Sequence, residues 1–220
     1  AEARAVSEFL TDMLSLADPT AAGTYDLSMR EVLDIAAEQI DDRFADQPQV
    51  ELDIRDAIAN AYSSLGETEA SLGHLRRIRE LAMLLRGAEH EDVYHVDNRI
   101  NQVLVSIRAV DGETIEDVVR RTEALFGPEH SASIGAKETL ATYVRYQGRL
   151  QEAVVIQEEA FEARRASLGD DHPFTLGSGR ALVVTLEDAG QYTEAIELIE
   201  MLLPLHIEVL GARSPKTIGI

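Results

Sequence analysis

The sequence predicts an all-α fold, a solenoid of antiparallel helix pairs with about ten helices. Three observations predict it. Ala and Leu dominate, aromatics make up only 5%, Trp is absent and Pro occurs 6 times in 220 residues. That composition favours helix, because Ala, Leu, Glu and Arg are the strongest helix formers. Second, the chain repeats itself. Gly127, Gly169 and Gly211 stand 42 apart, as do Gly148 and Gly190, Glu152-Ala153 and Glu194-Ala195, His130 and His172, Pro173 and Pro215, and Thr175 and Thr217. Third, glycines within each unit are 21 apart, from Gly66 to Gly87, Gly148 to Gly169 and Gly190 to Gly211. Each closes an apolar run of helical period, where the left-handed conformation costs Gly least. One unit is therefore a helix, a tight turn, a second helix and a short linker.

Residues 1–47 read as two helices, 2–16 and 28–44, split by the stretch Ala17 to Gly23, and lack the glycine pattern. They are expected to form an atypical helical cap, which solenoids need at their ends. Residues 48–87 form the first repeat, with Tyr62, Leu65, Gly66 and Leu72 in place and Ser71 where a small packing Ala belongs. Residues 88–127 are irregular. Gly87 to Gly112 is 25 residues and Gly112 to Gly127 is 15, which predicts a longer first helix, a shorter second one, and Asp117 at the small-residue position.

Residues 128–169 and 170–211 are the clearest units. In the last, Leu176, Leu182, Val183 and Leu186 form one stripe, and Ala195, Ile196, Ile199, Leu202 and Leu203 form the other. Ala153 and Ala195 let the paired helices approach closely, and Leu150 and Tyr192 are expected to pack back on the first helix. Pro204 falls inside the last helix and is expected to kink it. Residues 212–220 read as the start of a further repeat, since Ser214-Pro215-Lys216-Thr217-Ile218 mirrors His172-Pro173-Phe174-Thr175-Leu176.

The formal net charge is −20, from 40 acidic against 20 basic residues. Such a surface repels nucleic acid and acidic membrane surfaces, and favours basic partners. Cys is absent, which excludes disulfides, thiolate catalysis and Cys-based zinc sites and fits either side of a membrane. No apolar run approaches the roughly 20 residues of a membrane helix, so no direct membrane contact is expected of this segment.

No catalytic residue, metal site or cofactor site is predicted. His90, His130 and His172 recur in the linkers, and equivalent residues of a solenoid are held apart, so they read as caps bonding the backbone at a helix start. His90 to His95 is one residue too long for the two-His zinc helix. Gly177-Ser178-Gly179 lacks a third Gly and follows no strand, so it is no phosphate loop.

The linker Leu168-Gly169-Asp170-Asp171-His172-Pro173-Phe174-Thr175-Leu176 and the turn Gly190-Gln191-Tyr192-Thr193-Glu194-Ala195 resemble tetratricopeptide repeats of the kinesin-light-chain type. The resemblance implies a right-handed superhelix of antiparallel helix pairs whose first helices line a concave groove for a protein or peptide. Counting from the turn glycines, it places Asp56, Asn60, Ser63, Gln102, Ser106, Glu138, Thr142, Arg145, Tyr146, Arg180, Val184 and Glu187 on that groove. The expected binding residues are Asn60, Gln102, Glu138, Thr142, Arg145, Tyr146, Arg180 and Glu187, led by Arg145, Tyr146 and Arg180. Arg forks onto carboxylates, and Tyr supplies stiff contact area. The competing expectation for each charged residue is a solvated intramolecular pair.

The opening Ala5-Val6-Ser7-Glu8-Phe9-Leu10-Thr11-Asp12-Met13-Leu14 is similar to the segment that starts the repeat-bearing tail of bacterial serine/threonine protein kinases. This implies a scaffold or sensor part of a larger signalling protein. The chain itself has no kinase motifs. The alternative reading is structural, a homo-oligomer (in its simplest form a homodimer) built through the unfinished last repeat.

Overall fold

The computed structural model describes residues 28–211 together with Ser7, Phe9 and Thr11. Among them are nine α-helices: α1 Met29–Arg43, α2 Pro48–Ser64, α3 Thr68–Arg86, α4 Glu91–Ser106, α5 Gly112–Phe126, α6 Ser131–Tyr146, α7 Leu150–Leu168, α8 Pro173–Asp188 and α9 Tyr192–Leu210. Ser7, Phe9 and Thr11 are also helical. The rest of the expected helix 2–16, the stretch 17–23 and the repeat start 212–220 lie outside the described residues. The chain divides into two compact units, Ala1–Val103 and Leu104–Ile220.

In the first unit α1 starts on a reciprocal cap. The Ser28 hydroxyl accepts from the Glu31 N–H, and Glu31 Oε2 accepts from the Ser28 N–H at 2.7 Å. Phe9, Leu33, Ile40, Phe44, Val50, Ile54 and Ile58 form a buried cluster. Phe9 meets Phe44 edge-on, with ring centroids 5.5 Å apart. Pro48 opens α2, where its missing N–H costs nothing. The α2–α3 pair closes over Ser71, which is buried and donates its hydroxyl to the Ala59 carbonyl at 3.1 Å. The polar replacement for Ala is thereby satisfied without widening the pair.

The second unit stacks α5 on α6, α6 on α7, α7 on α8 and α8 on α9. The first predicted stripe is buried and the second only in part, since Ile196 and Leu203 are exposed. Leu176, Leu182, Val183 and Leu186 are buried together with Ala195 and Leu202. Ala153 is wholly buried. Gly179 sits where α8 crosses its neighbours, since a Cβ there would lie 2.9 Å from the Phe161 ring and 2.7 Å from Leu202. The helix α9 runs unbroken through the exposed Pro204.

Two expectations are corrected. Tyr192 does not pack back on the first helix and is 65% exposed. It is the first residue of α9, and helical side chains lean towards the N-terminus, so its ring reaches past the turn into solvent.

The irregular unit also differs from its glycine count. Its first helix, α4, has the same 16 residues as α6 and α8. Gly112 is not a turn residue; it begins α5 behind an Asp111 cap. The turn is made by Arg108, whose φ of 56° is the one left-handed non-Gly residue among those described. The hydrogen bonds confirm the equivalence. Arg108 N–H donates to Val105 and Ala109 N–H to Leu104, as Gly148 donates to Arg145 and Arg149 to Val144. Gly66, Gly87 and Arg108 are then evenly spaced at 21. The irregularity is a longer loop before α5 and a shorter α5 of 15 residues against 19 in α7 and α9. Asp117 does not hold the small-residue place; the fourth residue of α5 is the buried Ile115, as Ala153 is the fourth of α7.

Candidate protein-binding surfaces

The linker histidines behave as the spacing predicts. His90, His130 and His172 accept at Nδ1 from the backbone N–H two residues on, at Asp92, Ala132 and Phe174, each at 3.2 Å. They fix the starts of α4, α6 and α8, first helices whose exposed faces are the candidate surface.

In the first unit that face lies on α2 and α4. Asn60 is exposed, its Oδ1 accepting from Arg99 Nη2 at 2.8 Å, while Arg99 Nη1 pairs with Asp56. Arg99 thus staples α4 to α2 across two of the expected groove positions. With Arg108 as the turn residue, Gln102 takes the rank held by Asn60 and Thr142, six before the turn, and is exposed. Ser106 shifts to the last helical residue.

Nearer the helix starts lies a cleft of about 240 Å³ that the turn-glycine count did not find. Leu52, Ile78, Ala82 and Val96 supply apolar wall, and Asp53, Asp56, Asp92, Arg86, His95 and Arg99 supply polar wall. Each guanidinium is engaged, Arg86 with Asp92 at 2.6 Å and Arg99 with Asp56. Among the described residues Asp53 accepts from the Gln49 amide alone, at 2.8 Å.

On the other side of the same unit is a buried ion network. Glu51, 2% exposed, accepts from Arg55 Nε and Arg77 Nε, both at 2.8 Å. Burial pushes the Glu51 carboxyl up, but the hydrogen bonds and charges of Arg77 and Arg55 outweigh it and hold it below the usual carboxylate range. Arg55 also reaches Asp41 on α1 and His74 Nδ1 on α3. Burial, then the Arg55 charge, push His74 down to about 4, against the smaller opposing pull of Asp41. The Glu51–Arg55 spacing of four was the only local signal for this network; its other members come from different helices.

In the second unit the face lies on α6 and α8. Arg145 Nη1 donates to Asp188 Oδ2 at 2.5 Å and ties the ends of the two helices together. Its guanidinium also stacks over the half-exposed Tyr146 ring, 4.8 Å from the centroid. Glu138 accepts from the buried Arg164 of α7 at 3.2 Å. Thr142 turns its hydroxyl back onto the Glu138 carbonyl at 3.0 Å. Arg180 and Glu187 are exposed, and neither side chain has a partner among the described residues. The structure therefore brings Arg145 and Tyr146 of α6 together with Asp188 at the end of α8, and leaves Arg180 and Glu187 of α8 open. No group of three His, Cys, Asp or Glu poised for a metal occurs among the described residues. No helix among them is long and apolar enough to cross a membrane.

The tetratricopeptide repeat family model matches residues 133–203, the stretch from α6 into α9. No curated protein sequence matches the chain. Among solved structures, a glutamine-to-methionine variant of a Podosopora anserina protein of the kinesin-light-chain kind, with nearly identical TPR-like repeats, is similar at a TM-score of 0.58 and 20% identity, over 93% of this chain and 97% of that one. A second structure of such a Podosopora anserina protein gives 0.56 and 19%, over 97% and 99%. BtubC (BKLC) from P. vanneervenii gives 0.57 and 15%, over 97% and 91%. The fold is accordingly the tetratricopeptide-type α-solenoid. Tetratricopeptide repeats as a class mediate protein–protein interaction and are typically non-enzymatic.

Proposed function

We propose that this chain is an interaction module that holds a protein or peptide on the groove-lining face of its first helices. The observation that carries the reading is Arg180. It stands exposed on α8 with no partner among the described residues, on the helix whose last residue, Asp188, is tied to Arg145 beside Tyr146. An unengaged guanidinium is free to fork onto a peptide carboxylate or acidic side chain, and the Tyr146 ring, already held under Arg145, has little side-chain entropy left to lose. Glu187, further along α8, gives the same face a cation-seeking end. In the second unit Thr142 and Tyr146 supply polar contacts, while Glu138 and Arg145 act through the internal pairs they already make; in the first unit Asn60 and Gln102 supply polar contacts on that unit's own face.

The test is a peptide-display selection against the immobilised protein, followed by Arg180→Glu. Selected peptides should lose about tenfold or more in affinity, the scale of one charge-assisted contact turned repulsive. Unchanged affinity with unchanged helicity would remove the α8 face from the site. The similarity of the opening segment to bacterial kinase tails supports a place in a larger signalling protein, and the source reading frame tests that directly.

A second reading, self-association, is favoured by one contrast. Val154 and Phe161 of α7 are buried against α8, at 4% and 3% exposure, whereas their counterparts Ile196 and Leu203 on α9 are 56% and 38% exposed. Sedimentation at rising concentration tests it. A strict monomer at every concentration would eliminate it, and a dimer dispersed by Ile196→Asp would support it.

A further inference from the structure

We infer that the first turn of α8 is a proton-operated latch, closed while the His172 ring is neutral and opened when that ring takes up a proton. The latch stands whatever the α8 face binds. His172 precedes Pro173, the first residue of α8, and its Nδ1 accepts from the Phe174 N–H at 3.2 Å. Pro173 has no N–H, so that of Phe174 is the first donor at this helix start. An imidazole nitrogen accepts only while it keeps its lone pair. Protonation puts a hydrogen on Nδ1, two N–H groups then face each other, and the cap is lost. The new positive charge also sits at a helix N-terminus, where the peptide dipoles already leave positive partial charge. Histidine is the side chain whose ordinary charge change falls between about pH 5 and 8, and His172 is half-buried, within reach of water.

The protein carries the same cap at α4 in different surroundings. His90 Nδ1 accepts from the Asp92 N–H at 3.2 Å, and Asp92 Oδ2 lies 3.5 Å from the same nitrogen. A protonated His90 therefore exchanges its backbone bond for a charge-assisted one to Asp92, whose other cationic partner is Arg86 at 2.6 Å. At α8 the residue two positions on is Phe174, whose ring lies 5.4 Å from that of His172 and offers no charge. The charged groups around this turn are otherwise engaged or turned away. Asp170 is held by Arg165 at 2.7 Å, and Asp171 points its Oδ1 towards Gly169. Arg164 is a second cation, 5.7 Å from the Phe174 ring centre and held by Glu138 at 3.2 Å. None of these carboxylates pairs with His172 among the described residues.

The turn that opens is the one that joins α8 to α7. The buried Thr175 donates its hydroxyl to the Arg164 carbonyl at 3.3 Å, and Phe174 lies beside the Arg164 guanidinium. Mild acid thus loosens the start of α8 from the end of α7 and leaves the start of α4 closed.

Amide hydrogen exchange of the ligand-free protein, followed by NMR at about pH 7.5 and about pH 5 and corrected for the intrinsic pH dependence of exchange, tests the latch. The Phe174 N–H should lose about tenfold in protection at the lower pH, the scale of one lost N-cap, and the Asp92 N–H should not change. His172→Asn, whose side chain caps without titrating, should keep the Phe174 N–H protected at both pH values. Asp92→Ala should pass the pH response to the start of α4. If either variant fails to fold, the comparison of Phe174 with Asp92 in the native protein decides. Unchanged protection at Phe174, an equal loss at both N–H groups, a loss that persists in His172→Asn, or an α4 start indifferent to pH in Asp92→Ala would overturn the inference.

Discussion

At the scale of single residues, two glycines two positions apart are expected to respond with opposite signs. Gly177 and Gly179 both lie in α8. Around Gly177 there is open space for a Cβ, so Gly177→Ala should stabilise by about 0.5–1 kcal/mol through helix propensity alone. A Cβ at Gly179 meets the Phe161 ring at 2.9 Å, and a ring edge cannot step aside as a Leu methyl can. Overpacking of that kind costs about 1–3 kcal/mol, which outweighs the propensity gain of about 1 kcal/mol, so Gly179→Ala should be net destabilising. Urea midpoints of the two variants check both signs. His74 supplies a pH dependence at the same scale. Its folded value of about 4 lies below the usual 6.5, so the unfolded chain binds a proton in that window that the folded chain refuses. The stabilisation is complete above about pH 6.5 and is lost as the pH falls towards 4, by on the order of 3 kcal/mol. Replacing His74 by Gln should flatten the stability–pH curve in this window relative to the native protein. Parallel curves would mean that His74 titrates as an exposed histidine does.

At the scale of elements, the turn between α4 and α5 carries the prediction. Arg108 holds φ at 56° where the other turns use Gly. A left-handed Arg costs about 1 kcal/mol that Gly avoids, so Arg108→Gly should raise the melting temperature. The same residue explains where the sequence stopped being legible. Turns closed by Gly could be read directly, and the pairs around Gly148 and Gly190 lie where the 42-residue spacing placed them. Arg108 hid its turn, because residue type no longer marked the conformation, and the next glycine, Gly112, took its place in the count. Site residues divide along a similar line. The linker histidines were legible because their partners are two residues away. Arg145–Asp188 and Arg99–Asp56 were not, since each pair is 43 residues apart in sequence and meets only once first helices stack.

At the scale of the whole molecule, net charge sets two responses to salt, and they have opposite signs. The described residues carry many Arg–carboxylate pairs, most of them partly exposed, such as Arg149–Glu152 and Arg165–Glu162. Exposed pairs are worth about 0–1 kcal/mol each, and salt weakens them. Against them stands an excess of 20 negative charges, whose mutual repulsion strains the folded state and is also screened. The Debye length falls from about 30 Å at 0.01 M to about 3 Å at 1 M salt. Pairs in direct contact keep much of their attraction at the shorter length, whereas repulsion summed over the whole surface does not. Added salt should therefore raise the melting temperature. Binding of a basic peptide should go the other way. Its approach is steered by the same excess charge, so the association rate should fall steeply over that range while the dissociation rate changes little. Thermal melts and stopped-flow binding in a common salt series check the pair of signs. A melting temperature that falls with salt would mean that the ion pairs, Glu51 with Arg55 and Arg77 foremost, outweigh the global repulsion. An association rate indifferent to salt would mean that the acidic surface does not guide the partner, and would point the search towards neutral or acidic ligands on the Arg180 face.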